Sequence, residues 1–162
     1  MGQIQGRQIQ GRLRLEVRAA GGRLLARRAA GNAVLRGGAE LVARRLSGLD
    51  ADPFTAVAVG FGTEAADAGA TALTPPPDPA IPASALSSPV TPDAVTVATD
   101  RPDAVLLSLA TPFHPTVTLT DVTEAGLLAG DRLYNQVVFE PVTLEPGRDV
   151  TFFWEIDLPF GH

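Results

Sequence analysis

The stretch Val150-Thr151-Phe152-Phe153-Trp154-Glu155-Ile156-Asp157-Leu158 decides the fold class. Val150, Phe152, Trp154 and Ile156 fall on one face, and Thr151, Phe153, Glu155 and Asp157 on the other. That period of two is what a strand with a single buried face requires. Pro146-Gly147 supplies the turn that starts it. Trp154 is therefore expected inside the core.

Working outward, the same alternation recurs near the other end of the chain. Leu13, Leu15 and Val17 alternate with Arg12, Arg14, Glu16 and Arg18, and Gly21-Gly22 is a hairpin signal leading into a second short strand over 23–28. Further strands are expected at 54–61, 94–99, 104–110, 116–120 and 133–142. One helix stands out over about 33–47. Leu35, Ala39, Val42 and Leu46 form its apolar stripe, Asn32 is its expected N-cap and Gly48 its stop. Gly37-Gly38 inside it would cost roughly 1 kcal/mol per glycine relative to alanine, which calls for close packing there. Many short strands with turns between them and one helix predict a mainly β fold, an antiparallel β-sandwich or partly closed barrel with an appended α-helix and extended arms.

The chain opens on a tandem pentapeptide, Gln3-Ile4-Gln5-Gly6-Arg7 and Gln8-Ile9-Gln10-Gly11-Arg12. Residues 1–31 read as an arginine-rich arm and hairpin, and 32–162 as a single sandwich domain. Seven of the fourteen prolines fall within 74–92. Because proline lacks a ladder donor, that segment is expected to be extended and largely unpaired.

Charge is distributed unevenly. Residues 1–48 hold ten arginines against Glu16 and Glu40, a net +8, while 49–162 hold three arginines against sixteen acids, a net −13. The asymmetry marks an interaction surface. Ile4, Arg7, Ile9, Arg12, Arg14 and Arg18 are the candidate interface residues: the isoleucines for burial, the arginines for an acidic surface on a neighbouring copy. All thirteen basic residues are arginine, which either interface chemistry or a GC-rich coding bias would produce. Binding to nucleic acid is not expected, because no aromatic stacking residue lies in 1–53 and the acidic remainder would repel a polyanion.

Signals of catalysis are missing. Cysteine is absent, which removes thiolate metal sites and thiol nucleophiles. His114 and His162 have no metal-binding spacing, and no nucleophile elbow surrounds any serine. Gly60-Phe61-Gly62-Thr63 lacks the ending of a phosphate loop and reads as a strand-end turn. Asp121 and Glu124 form a carboxylate pair whose default reading is a solvated face. No apolar run approaches the roughly 20 residues of a membrane span, and no secretory or myristoylation signal is read at the start. No enzyme activity, cofactor, metal site or small-molecule ligand is expected.

Two regions carry a family resemblance. The helix over 35–46, the strand ending Val57-Ala58-Val59-Gly60-Phe61-Gly62-Thr63, and Ala70-Thr71-Ala72-Leu73 resemble small phage tail and baseplate-appendage proteins. The distal part, Thr123-Glu124-Ala125-Gly126-Leu127-Leu128 through Leu133-Tyr134-Asn135 to the Trp154 strand, is similar to the terminal strands of tail-fibre attachment proteins, in which a Glu-x-Gly-Leu turn precedes two paired strands. The resemblance implies a structural component of a tail, baseplate or neck, in a virion or a phage-tail-like contractile injection particle. It also implies partners that are copies of the chain and other tail, baseplate or neck proteins, while synthesis in the cytoplasm is the default expectation for a chain without cysteine. No catalytic residue comes with it. The alternative is a receptor- or carbohydrate-binding appendage module, which would need exposed aromatic platforms.

Overall fold

In the computed structural model, which describes residues 8–160, ten strands and one helix follow the order β1 (Gln10–Arg18), β2 (Leu24–Val34), α1 (Arg36–Leu46), β3 (Ala56–Gly60), β4 (Ser87–Pro89), β5 (Val95–Ala98), β6 (Ala104–Phe113), β7 (Leu119–Ala129), β8 (Arg132–Leu133), β9 (Asn135–Leu144) and β10 (Asp149–Pro159). Every pairing is antiparallel. One sheet has the order β2-β1-β10-β6-β5 and the other β4-β3-β7-β9, with β8 added to β7. The sheets join where Ala33 and Val34 of β2 pair with Gln136 and Asn135 of β9. Away from that join, the β4 edge approaches β6 through side chains: the His114 N–H donates to Ser88 Oγ at 3.3 Å and Thr111 Oγ1 donates to the Pro89 carbonyl at 3.4 Å. The result is a sandwich with one helix, not a closed barrel.

The core follows from the alternation. Leu13, Leu15 and Val17 of β1 stand opposite Trp154, Phe152 and Val150 of β10, which in turn stand opposite Leu109, Thr111 and Phe113 of β6. Phe152 stacks on Trp154 with ring centres 6.1 Å apart, and Phe113 meets Phe152 edge-on at 5.7 Å. Val57, Leu127 and Val137 complete the core from the second sheet. Burying each such side chain fully contributes roughly 1.5–3 kcal/mol, and the registry of these rows makes a one-residue slip prohibitive.

Several expectations need correction. From Gln10 onward the segment read as an arm and hairpin lies inside its sheet, with β1 a central strand between β2 and β10. β2 runs on past 28 to Val34, so Asn32 is a strand residue opposite Gly11 and not a helix cap. The helix begins at Arg36 after Leu35, without a side-chain cap. Backbone contacts replace it: the Leu35 N–H donates to the Tyr134 carbonyl and the Arg36 N–H to the Ala68 carbonyl. Gly37 and Gly38 press the helix onto the carbonyls of Leu133 and Tyr134, leaving no room for a side chain at 38.

Of the strand expected at 116–120 only Leu119 and Thr120 are strand residues, and they open β7, the same strand that runs through the turn expected at Glu124-Ala125-Gly126-Leu127. Gly126 is there because the Asn135 carbonyl and the Leu133 side chain of the returning chain occupy the space of a Cβ. Asp121, at φ 56°, carries the left-handed conformation at an irregularity of β7. The proline-rich segment pairs only over Ser87–Pro89, against β3. Elsewhere it lies on its own sandwich, with Ala85 buried and Ile81, Leu86 and Val90 packed on the core.

Candidate functional site

The candidate interface residues separate into three groups. Ile4 and Arg7 lie outside the described residues. Ile9 is half-buried against the core just before β1. Arg12, Arg14 and Arg18 project together from the outer face of β1, as their alternation with core residues dictates.

Their acidic partners are in the same chain. Arg12 reaches Glu155 at 3.0 Å and Asp157 at 3.4 Å across the β1–β10 ladder, and Arg101 grips the other oxygen of Asp157 at 2.7 Å. Arg18 binds Glu16 at 2.9 Å and the Gly22 carbonyl at 2.9 Å. Arg14 lies 3.3 Å from Glu16, an ion pair without hydrogen-bond geometry, and its guanidinium sits 4.2 Å above the Phe153 ring. The Arg18 hydrogen bond, with the charges of Arg18, Arg14 and Arg27, holds the Glu16 carboxyl below its ordinary value against an opposing effect of burial. The charge complement expected on a neighbouring copy is thus supplied internally for these three arginines. What remains on this face is a shallow cup of about 510 Å³ lined by Arg12, Arg14, Arg27, Ser108 and Glu155; of its aromatic lining residues, Phe153 is covered by Arg14 and Trp154 is buried in the core.

A different surface is apolar. Where α1 crosses the open end of the sandwich, Leu41, Val42 and Leu46 face Phe54, Leu107 and Leu158 across a groove of about 560 Å³. Leu46 on its rim is 84% exposed, and Leu49, Val97 and Phe160 are further exposed apolar side chains. Arg45 and Asp52 are the charged residues at the groove. Tyr134 closes its inner wall by an edge-on contact with Phe54 at 5.0 Å, and burial pushes the Tyr134 phenol up. Sequence reasoning missed this groove. The helical spacing puts Leu46 on the buried stripe, whereas it is exposed; the available signal is the second apolar pair, Leu46 and Leu49, at the end of the helix.

The other chemistry-bearing residues described line neither of these surfaces. Glu124 is 2% exposed and accepts hydrogen bonds from the Thr74 N–H at 2.8 Å, Thr74 Oγ1 at 3.2 Å and Gln136 Nε2 at 3.0 Å. Gly60 and Gly62 make room for this carboxylate, since a Cβ on either would collide with its oxygens. The turn that looks like a fragment of a phosphate loop is therefore a cradle for a carboxyl group of the chain itself. Asp121 is exposed while Glu124 is buried, so the two acids share no solvated face and form no acid–base couple. His114 is exposed and His162 lies outside the described residues. Among the described residues no group of three or more His, Cys, Asp or Glu is arranged to hold a metal ion, and no helix is long and apolar enough to cross a membrane.

No protein-family model, curated protein or solved structure matches this chain.

Proposed function

We propose that this protein is a non-enzymatic structural subunit of a larger protein particle, a tail, baseplate or neck component of a phage or of a phage-tail-like contractile injection particle. The observation that supports this reading is the apolar groove at the open end of the sandwich. A contiguous apolar surface that a soluble chain leaves uncovered is characteristic of a protein–protein contact. Its lining is dominated by Leu, Val, Ile, Phe and Pro side chains, with Thr91, Tyr134 and only two charged residues among them, which suits burial against another protein rather than bond-making chemistry. The family resemblance supplies the kind of particle. The alternative, a carbohydrate- or receptor-binding appendage module, finds less support: Phe153 lies beneath Arg14, and Phe160 alone among the aromatic residues is substantially exposed in the described chain.

The paired substitution Leu46→Glu with Leu49→Glu tests the reading, because both side chains already face solvent. Surface changes of this kind leave stability within about 0.5 kcal/mol. The variant should melt like the wild type and yet fail to enter the particle when it replaces the native chain in producing cells. Incorporation at wild-type level would refute the groove as the assembly contact.

A further inference from the structure

The first sheet ends at β5, a four-residue edge made of Val95, Thr96, Val97 and Ala98. Sheet edges are normally guarded by charge, proline or a covering element. The other exposed margins of this fold follow that rule: β4 carries Pro89 and is tied to β6, while β2 carries Arg27 and Arg28 along the stretch β9 leaves unpaired. β5 has neither a charge nor a proline. Val95 packs against the core, and Val97, two residues on and therefore on the same face, is 62% exposed. Val97 stands opposite Leu107, which lines the apolar groove, so the core face of the sheet continues past its cover to the bare edge.

We propose that β5 pairs antiparallel with β5 of a second copy about a twofold axis through Val97, extending the five-stranded sheet into one of ten. An antiparallel edge is self-complementary under such an axis, as a closed dimer requires. The two Val97 side chains then cover one another on the core face. The exposed Val97 selects the register: it is the bare apolar side chain of this edge, and only with it on the axis do the two copies cover one another there. The antiparallel arrangement also brings the Asp93 end of each copy toward the Arg101 end of the other. This inference names one contact within the assembly proposed above and rests on that reading.

The chain contains no cysteine, so a single introduced thiol reports on the axis without interference. Residues directly opposite in an antiparallel pair have Cα atoms about 4.5–5.5 Å apart, within the range a disulfide spans. Under mild oxidation Val97→Cys should give a covalent dimer. Val95→Cys should not, because its two copies would be offset by four residues, about 14 Å along the strands. Equal crosslinking of the two variants, or none, would overturn the pairing. In sedimentation of the full chain, Val97→Lys should abolish a dimer that the wild type forms, with unchanged melting. A wild type that stays monomeric at high concentration overturns the pairing while leaving the groove reading to its own variant, and an oligomer that survives Val97→Lys overturns the β5 edge alone.

Discussion

Replacing Trp154 by alanine should destabilise the protein by about 2–4 kcal/mol. Trp154 is fully buried, sits between Leu13 and Leu109 in the strand register and stacks on Phe152. Truncating a buried tryptophan to alanine costs about 3–5 kcal/mol, counting both lost transfer energy and the cavity left behind. One feature lowers that figure here. The indole Nε1–H is buried without an acceptor among the described residues, and an unmade hydrogen bond of this kind costs about 1 kcal/mol at the low end of its range. Alanine removes that penalty along with the ring. Trp154→Phe also removes it while keeping most of the packing, so it should cost no more than about 1.5 kcal/mol. Trp154 is the chain's single tryptophan, so unfolding in urea is best followed by far-ultraviolet circular dichroism, with indole emission as a check on the wild type. An alanine variant within about 1 kcal/mol of wild type, a phenylalanine variant as damaged as the alanine one, or emission typical of a solvated indole would refute the core assignment.

Glu124→Ala should cost about 2–3 kcal/mol, because it leaves the Thr74 N–H and the Gln136 amide without their acceptor, and it should open the 61–74 loop to limited proteolysis; an unchanged cleavage pattern would show that the cradle does not hold that loop. Glu16 gives a pH signature. Its folded-state pKa lies below the ordinary value of 4.5, chiefly through the Arg18 hydrogen bond, so its contribution is present above that value and is lost as pH falls through the folded pKa. Glu16→Gln should therefore flatten part of the stability loss seen below about pH 4.5, measured by urea midpoints at a series of acid pH values; parallel profiles for variant and wild type would contradict the assigned pairing.

Much of the architecture was legible because the strands that span the core alternate cleanly. The runs Leu13-Leu15-Val17 and Val150-Phe152-Trp154-Ile156 set both the strands and the buried face, and the structure places them side by side. What escaped was decided by neighbours rather than by local pattern. The second half of β2, Ala29-Ala30-Gly31-Asn32, has little strand propensity and is extended because β1 holds it. In β7 the glycine that suggests a turn serves the close approach of Asn135 and Leu133. Charge asymmetry along the chain also misled: Arg12, Arg14 and Arg18 are far in sequence from most of the acids, but the β1–β10 ladder brings Glu155 and Asp157 to Arg12. The apolar groove was hidden for a similar reason, since Leu107, Leu158 and Phe54 come from three separate segments that only the fold assembles.

The central claim, that this sandwich serves as a repeated part of a protein particle, is tested most directly by electron microscopy of material purified from producing cells through an affinity tag on the chain. The account predicts tail-like or baseplate-like particles in which the chain is a stoichiometric component, repeated about a symmetry axis, with density from another subunit filling the groove between α1 and Leu158. A chain recovered as a free monomer while such particles lack it, or a particle in which that groove faces open solvent, would contradict it.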